Sequence, residues 1–368
     1  MGEDFFIEIR NDISKVIKED LQGNFLPASP KDYPPFETEP FDYEQQLDEA
    51  NFNGEENALC INFEEQGNLI YNLPSYENPA YELKYFLDGT FRTYYWGDFE
   101  IGNILCPVIL GETVVSIITR ENKNFHKINV NKKINIVLPP IETMEISEIK
   151  EKLSKRLERY DLIRIAAVEK DMAAADIRGD IKTAMLGKVR AMLHEDEREN
   201  AIKIQHAKNE IVVIDGDLRS ELFTGMENFI GVAKSFSSKP IIITPNSYES
   251  LPMVLRRLKK GQRTCIFTKK NEPQYKFWYV RLRNPEECDN YWQGIVKIEI
   301  NRRDIKKATN EFVDFVNQIS LLIFKERLPS SYPIRRWTSH IYPIYIAEKL
   351  GKSCLTTTLA FRQLFKID

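Results

Sequence analysis

"KYFLDGT", residues 84–90, runs three apolar side chains into an aspartate that a glycine follows at once. "IVVIDGD", residues 211–217, ends another apolar run in the same pair. An Asp-Gly after a strand is ordinarily a turn, because both residues suit turn conformations. Its recurrence with the same carboxylate asks for a second reason. Around the first copy, "YELKYFLD", "EIGNILCPVI" and "ETVVSIITR" read as three strands joined by "GTFRTYYWGDF" and "LG", an antiparallel meander. Residues 146–208 are dominated by Glu, Lys, Ala, Leu and Met and read as helical. "NEIVVID" is then the fourth strand, "FTGMENFIGVAKSF" a helix and "KPIIITP" a strand. "KFWYVRL" and "GIVKIEI" are late strands, and "RDIKKATNEFVDFVNQISLLIF" is a long amphipathic helix.

Three antiparallel strands followed by helix-linked parallel strands is the order of a ribonuclease H-like mixed sheet. The expected fold class is therefore α/β, with a helical insertion at about 146–208 and an acidic N-terminal arm. In that order the first and fourth strands are parallel neighbours, about 4.8 Å apart. Asp88 and Asp215 would then meet at one sheet edge, where open α/β sheets bind ligands. Two adjacent buried carboxylates repel each other unless a proton or a cation lies between them. Mg²⁺ or Mn²⁺ removes that cost, and two such ions about 3.5–4 Å apart can drive phosphodiester cleavage.

A site of that kind needs further ligands. "HEDERENAIKIQHAK", residues 194–208, offers Glu195, Asp196, Glu197 and Glu199. Most acids at such a place are solvated; Glu197 is the choice for one turned inward, with Glu195 and Glu199 close behind. His340, in "SYPIRRWTSHIYPIY", precedes a helix that Pro343 opens. The positive end of a helix disfavours imidazolium and leaves the ring fit to bind metal. His126, His194 and His206 lack such a setting and read as structural.

Of 368 residues, 42% are hydrophobic, enough for a full core, and no apolar run is long enough to span a membrane. The start, "MGEDFFIEIRND", is acidic without a basic-then-apolar leader, so the expected location is cytoplasmic. Five scattered cysteines with no CxxC suggest neither a zinc site nor a disulfide framework. Residues 1–100 carry 22 Asp and Glu against 6 Lys and Arg, which leaves residues 101–368 net positive. A basic body suits a polyanionic partner. The expected division is 1–80, an acidic arm, and 81–368, the main domain. The arm holds an amphipathic helix over 3–20, with Phe6, Ile9, Ile13, Val16 and Ile17 on one face, and a Pro-rich tether. Such a helix is too short to stand alone in water. The expected docking surface is a partner protein.

Four local patterns, "LDGT", "VVIDGDL", "FIGVAKSF" and "SYPIRRWTSH", give the chain from about Tyr81 to its end a resemblance to the NurA nuclease family. The family's two aspartates fall on Asp88 and Asp215, and its lysine on Lys234. Its Tyr-Pro pair and histidine fall on Tyr332, Pro333 and His340. Its glutamate lies in the helix before the second aspartate, where several candidates stand. This chain has Asp-Gly-Thr where the family usually has Asp-Gly-Ser. The resemblance implies a ribonuclease H-like fold and a deoxyribonuclease with a two-ion Mn²⁺ or Mg²⁺ site held by Asp88, Glu197, Asp215 and His340. It also implies a homodimer and a HerA-type hexameric ATPase as partner, in DNA end processing or anti-phage defence. Lys234, Tyr332 and Arg336 are the expected DNA contacts. "RRLKKGQR" (256–263), Lys269–Lys270, "NRRDIKK" (301–307) and Arg335 could follow the DNA backbone.

Other classes fit less well. A haloacid-dehalogenase phosphatase needs an aspartate where Phe86 stands. A P-loop reading of "LGKS" (350–353) fails because Ile346 occupies the place of the first glycine. A non-catalytic nucleic-acid-binding or scaffold protein on the same fold is the standing alternative.

Overall fold

The computed structural model describes residues 3–27, 59–64, 68–140, 144–168, 181–216, 218, 223, 226–236, 241–243, 248–269, 272–329, 337–357 and 360. The chain opens with α1 (Glu3–Lys15), a π-turn over Val16–Asp20 and β1 (Asn24–Pro27); β2 (Leu59–Asn62) and β3 (Ile70–Asn72) follow. Three long strands come next, β4 (Glu82–Ile101), β5 (Ile104–Glu121) and β6 (Asn124–Leu138). Then come α2 (Met144–Leu157), β7 (Ile163–Ala167), α3 (Ile181–Ala201), β8 (Glu210–Asp215), β9 (Phe229–Ala233), β10 (Ile241–Ile243) and β11 (Tyr248–Ser250). The order continues with α4 (Leu251–Arg257), β12 (Gln262–Thr264), β13 (Phe267–Lys269), β14 (Tyr275–Arg281), β15 (Ile295–Asn301), α5 (Asn310–Lys325) and α6 (Tyr342–Cys354).

The strands form one mixed sheet in the order β11-β10-β2-β13-β14-β15-β9-β8-β4-β5-β6-β7. β4, β5 and β6 form an antiparallel meander, but not of the three strands expected: "EIGNILCPVI" and "ETVVSIITR" fall mainly in the one strand β5. β8 runs parallel to β4, with Leu87 opposite Ile214, so the next residue on each strand is an aspartate. The mixed α/β class and this adjacency agree with the sequence reading.

Several expectations are corrected. "GTFRTYYWGDF" is no connection: the 20-residue strand β4 runs straight through it. Its Thr and aromatic residues favour strand, and Gly89 stays extended, paired with Val115. "LG" likewise lies inside β5, and β6 was missed. The supposedly helical stretch 146–208 contains β7, which pairs parallel to β6. "FIGVA" is a strand, not a helix. All five of its residues are buried, and a strand buried on both faces loses the alternation that would announce it.

Alternation along β4 defines two faces. Phe86 and alternate buried side chains of β8, β9, β14 and β15, such as Val213, Ile230, Trp278 and Ile298, pack under α5 and α6, with Ile319, Ile344 and Ala347 among the contacts. Leu87 and Ile214 face the other way, onto Leu193 of α3. Farther along β4–β6, Tyr94, Trp96, Phe99 and Leu110 are sealed by α1 and α2. The apolar face of α1 is therefore covered by this chain itself. Ile9, Ile13, Val16 and Ile17 are all fully buried. Asp12 fastens the helix by accepting bonds from Arg156 Nε (3.0 Å), Arg159 Nη2 (2.6 Å) and Tyr160 Oη (2.8 Å). The expected docking of this helix on a partner is thus replaced by intramolecular packing.

Candidate active site

The two Asp-Gly pairs do different things. Gly216 adopts φ +105° immediately after Asp215, and β8 stops there. Gly89 does not turn at all. A Cβ built on it would lie 2.2 Å from Glu197 Oε1, so the missing side chain makes room for the Glu197 carboxylate. Because β8 ends while β4 runs on, Asp88 and Asp215 sit where the sheet opens.

Both aspartates belong to the face covered by α5 and α6, since Phe86 and Val213, two residues earlier on each strand, pack there. β9 lies beside β8, with Asp215 opposite Val232, and delivers Lys234 just past its end. Lys234 Nζ donates to Asp215 Oδ2 at 2.7 Å. Burial alone would lower the pKa of this lysine; the charges of Asp215, Glu348 and Asp88 overcome that and raise it above the ordinary value. Asp88 is 4% exposed and its Oδ2 is buried without a hydrogen-bond partner. Burial first, then the charges of Asp215 and Glu348, hold its carboxyl well above the usual range, with Lys234 opposing.

Glu348 was not singled out by the sequence reading. It lies on α6, where Ser116 Oγ donates to Ala347 O at 2.7 Å. Ser116 is the β5 residue paired with Asp88. The end of the helix is fixed by the fully buried Glu112, which accepts from Thr356 N (2.9 Å) and Thr356 Oγ1 (2.7 Å) and pairs with Lys132 Nζ at 2.5 Å. No metal-ligand spacing announces Glu348; only the i,i+4 pair with Lys352 stands out, and that is an ordinary helix-surface pattern.

The structure separates the four acids of α3. Asp196 is held by Arg164 through two bonds of 2.7 and 2.6 Å. Glu195 and Glu199 are exposed. Glu197 is buried against Gly89, next to Asp88 in the chain but on the α3 side of the sheet, with its Oε2 2.7 Å from His194 Nδ1. His340 is 7% exposed, between a 3₁₀ turn (Trp337–Ser339) and α6, and its carbonyl accepts from Leu328 N at 3.1 Å. Pro343 stands in the first turn of α6, as expected. Asp88, Asp215 and Lys234 are thus brought together, and no group of three metal-ligating side chains with the spacing for an ion occurs among the described residues. Tyr332, Pro333, Arg335 and Arg336 lie outside the described residues.

The basic stretches are less free than their sequence suggests. Arg263 is buried and paired with Glu64 at 2.8 Å. Arg257 pairs with Glu249 at 2.6 Å, and Arg302 with Asp304 at 2.7 Å. Among the described residues no helix is long and apolar enough to cross a membrane.

No protein-family model and no curated protein matches the chain. Among solved structures, the NurA nuclease from Sulfolobus solfataricus is similar at a TM-score of 0.38 and 9% identity, over 92% of this chain and 95% of the other.

Proposed function

We propose that this protein is a metal-dependent deoxyribonuclease. The observation that carries the reading is the Asp88–Asp215 pair at the end of β8, in which Asp215 keeps some exposure while Asp88 is buried with its Oδ2 left without a hydrogen-bond partner. A buried carboxylate oxygen without a donor is costly, and a divalent cation is the group that relieves it. The donors are carboxylate oxygens, which suit Mg²⁺ and Mn²⁺; an imidazole from His340 would shift the preference toward Mn²⁺. When bound, such ions supply positive charge to the scissile phosphate and the attacking water.

The chain's own residues then have distinct tasks. Asp88 and Asp215 would hold the cation from two neighbouring strands. Lys234, 18% exposed in its side chain, is within reach of a phosphate at the sheet opening and would stabilise charge developing on its oxygens. Tyr332 and Arg336 remain candidates for DNA contact on the strength of the sequence resemblance. So does a HerA-type ATPase as partner, on the same ground.

A second reading has one observation in its favour. Lys234 already neutralises Asp215, as it would in a non-catalytic nucleic-acid-binding subunit. The two separate in one assay: end-labelled single- and double-stranded DNA with Mn²⁺, Mg²⁺ or excess chelator, using the full chain, Asp88→Asn and Asp215→Asn. Cleavage with metal that both variants lose is the expected result. Cleavage in chelator, or undiminished cleavage by either variant, sinks the nuclease reading; no cleavage under any condition favours the binding subunit.

A further inference from the structure

We propose that Glu299 is a positioning residue for Asp215: from the opposite face of the sheet it holds the turn that ends β8. This rests on the nuclease reading above and adds a residue that neither the motifs nor the resemblance assigns.

The contacts run in a row across the sheet. Ile214, the residue before Asp215, lies opposite Gly231 of β9, and Gly231 lies opposite Glu299 of β15. Ile298 and Ile300 pack under α5 and α6, so Lys297 and Glu299 belong to the other face. The chain leaving Asp215 crosses to that face, where Leu218 packs with Ile214 and Leu193. Gly216 N donates to Val232 O at 3.0 Å, and φ +105° then turns the backbone over Gly231. A Cβ on Gly231 would stand 2.5 Å from Gly216 O and 3.2 Å from Leu218 N, so a glycine there gives the turn its room. The fully buried Leu218 then donates its N–H to Glu299 Oε1 at 3.2 Å.

The other oxygen of Glu299 accepts from Lys297 Nζ at 2.6 Å, and the two side chains are 4% and 6% exposed. A buried ion pair adds little stability over apolar residues of similar volume, so packing does not call for one here. What an apolar residue cannot give is an acceptor for the Leu218 amide, and a buried amide without one is costly. Lys297 neutralises the carboxylate that accepts it. Asp215 is thus held on two sides. Lys234 holds its carboxylate at 2.7 Å, and Glu299 holds the backbone that leaves it. A cation entering the site competes with the first contact. The second lies on the far face of the sheet and keeps Asp215 in place when Lys234 gives way.

Two variants of the full-length protein separate the hydrogen bond from the charge. Glu299→Asp keeps the counter-charge of Lys297 and withdraws the acceptor from Leu218. Glu299→Gln combined with Lys297→Met removes both charges and keeps an acceptor on a stem of the same length. Each is read by hydrogen exchange at the Leu218 amide in chelator and by calorimetric titration with Mn²⁺, beside Asp215→Asn, at a temperature where circular dichroism shows it folded. The expected result for Glu299→Asp is faster exchange and Mn²⁺ affinity at least about tenfold weaker, the scale of losing a group that orients a metal ligand. The double variant should stay near wild type in both; if it does not fold, Glu299→Asp against wild type still decides. Wild-type Mn²⁺ affinity in Glu299→Asp, beside a loss in Asp215→Asn, overturns the positioning role and leaves the nuclease reading standing. A larger loss in the double variant than in Glu299→Asp also overturns it, since charge would then be what matters. Absence of Mn²⁺ binding in the wild type overturns both.

Discussion

Asp88→Asn in chelator-treated protein should raise stability at pH 8 and change it little near pH 4. Asp88 is almost fully buried, has one oxygen without a partner, and faces Asp215 and Glu348, so its carboxyl is held well above the usual range. An acid with a raised folded pKa keeps a proton in the native state that the unfolded chain releases. Stability therefore falls as the pH rises from about 4, the ordinary aspartate value, through the folded pKa, and stays low beyond it. Asparagine has no such proton to lose, and its amide can donate as the protonated acid does. The size follows from the buried oxygen, since an unsatisfied buried polar group costs about 1–3 kcal/mol. With an unfolding entropy near 2.1 cal/mol/K per residue, each kcal/mol is worth about 1.3 °C for a chain of 368 residues. The expected gain at pH 8 is thus roughly 1–4 °C, read by scanning calorimetry in chelator at both pH values, while the variant cuts no DNA with Mn²⁺. A variant that melts below wild type at pH 8, or by the same offset at both pH values, refutes the reasoning that burial and neighbouring charge keep Asp88 protonated.

Lys234→Met should cost about 3 kcal/mol of metal-free stability, the lower end for breaking a buried ion pair, because both partners keep some exposure. The folded pKa of Lys234 is raised, so its contribution is fully present below about pH 10 and lost only above the folded value; the gap measured by denaturant melts should be the same at pH 7 and 9. The same variant should bind Mn²⁺ more tightly in a calorimetric titration, since the ammonium no longer competes for Asp215, and weaker binding would count against that competition. Gly89→Ala should lose about 1–3 kcal/mol from overpacking against Glu197; in a Glu197→Ala background the loss should nearly vanish, a coupling a double-mutant cycle measures. Ile13→Ala should cost about 2–5 kcal/mol, because α1 is core rather than arm, and chemical denaturation showing less than about 0.5 kcal/mol would return the helix to the surface.

What could be read from the sequence was governed by which signals are local. The Asp88–Asp215 meeting was legible because two apolar runs ended in the same residue and strand order made them neighbours. The length of β4 was not legible, because "DGT" reads as a turn and only the approach of Glu197 explains a glycine in mid-strand. β9 was misread as a helix because a strand buried on both faces carries no alternation. Helix α1 was recognised by its apolar spacing, yet its acidic flanks drew it into an arm; nothing local says that Tyr94, Trp96 and Phe99, far along the chain, will cover it. Glu348 was missed for a related reason. An i,i+4 Glu–Lys pair reads as surface, and only the Ser116–Ala347 contact, formed across 231 positions of sequence, brings its helix against the strand that carries Asp88.

The dipeptide that recurs is therefore one pattern with two physical causes, and the site depends on their being different. If Gly216 did not break the strand at φ +105°, β8 would continue beside β4 and close the gap in which Asp88 Oδ2 now lies. If Gly89 did break its strand, β5 would lose the partner that places Ser116 against α6, and Glu348 would have no fixed position. One glycine ends a strand so that a carboxylate stands at an opening; the other keeps a strand extended so that a helix can be pinned across it. Lys234 fills the space between as an internal counter-charge. Since it holds Asp215 through a single hydrogen bond at the mouth of the site, the ammonium is the component that a divalent ion can displace without disturbing either strand.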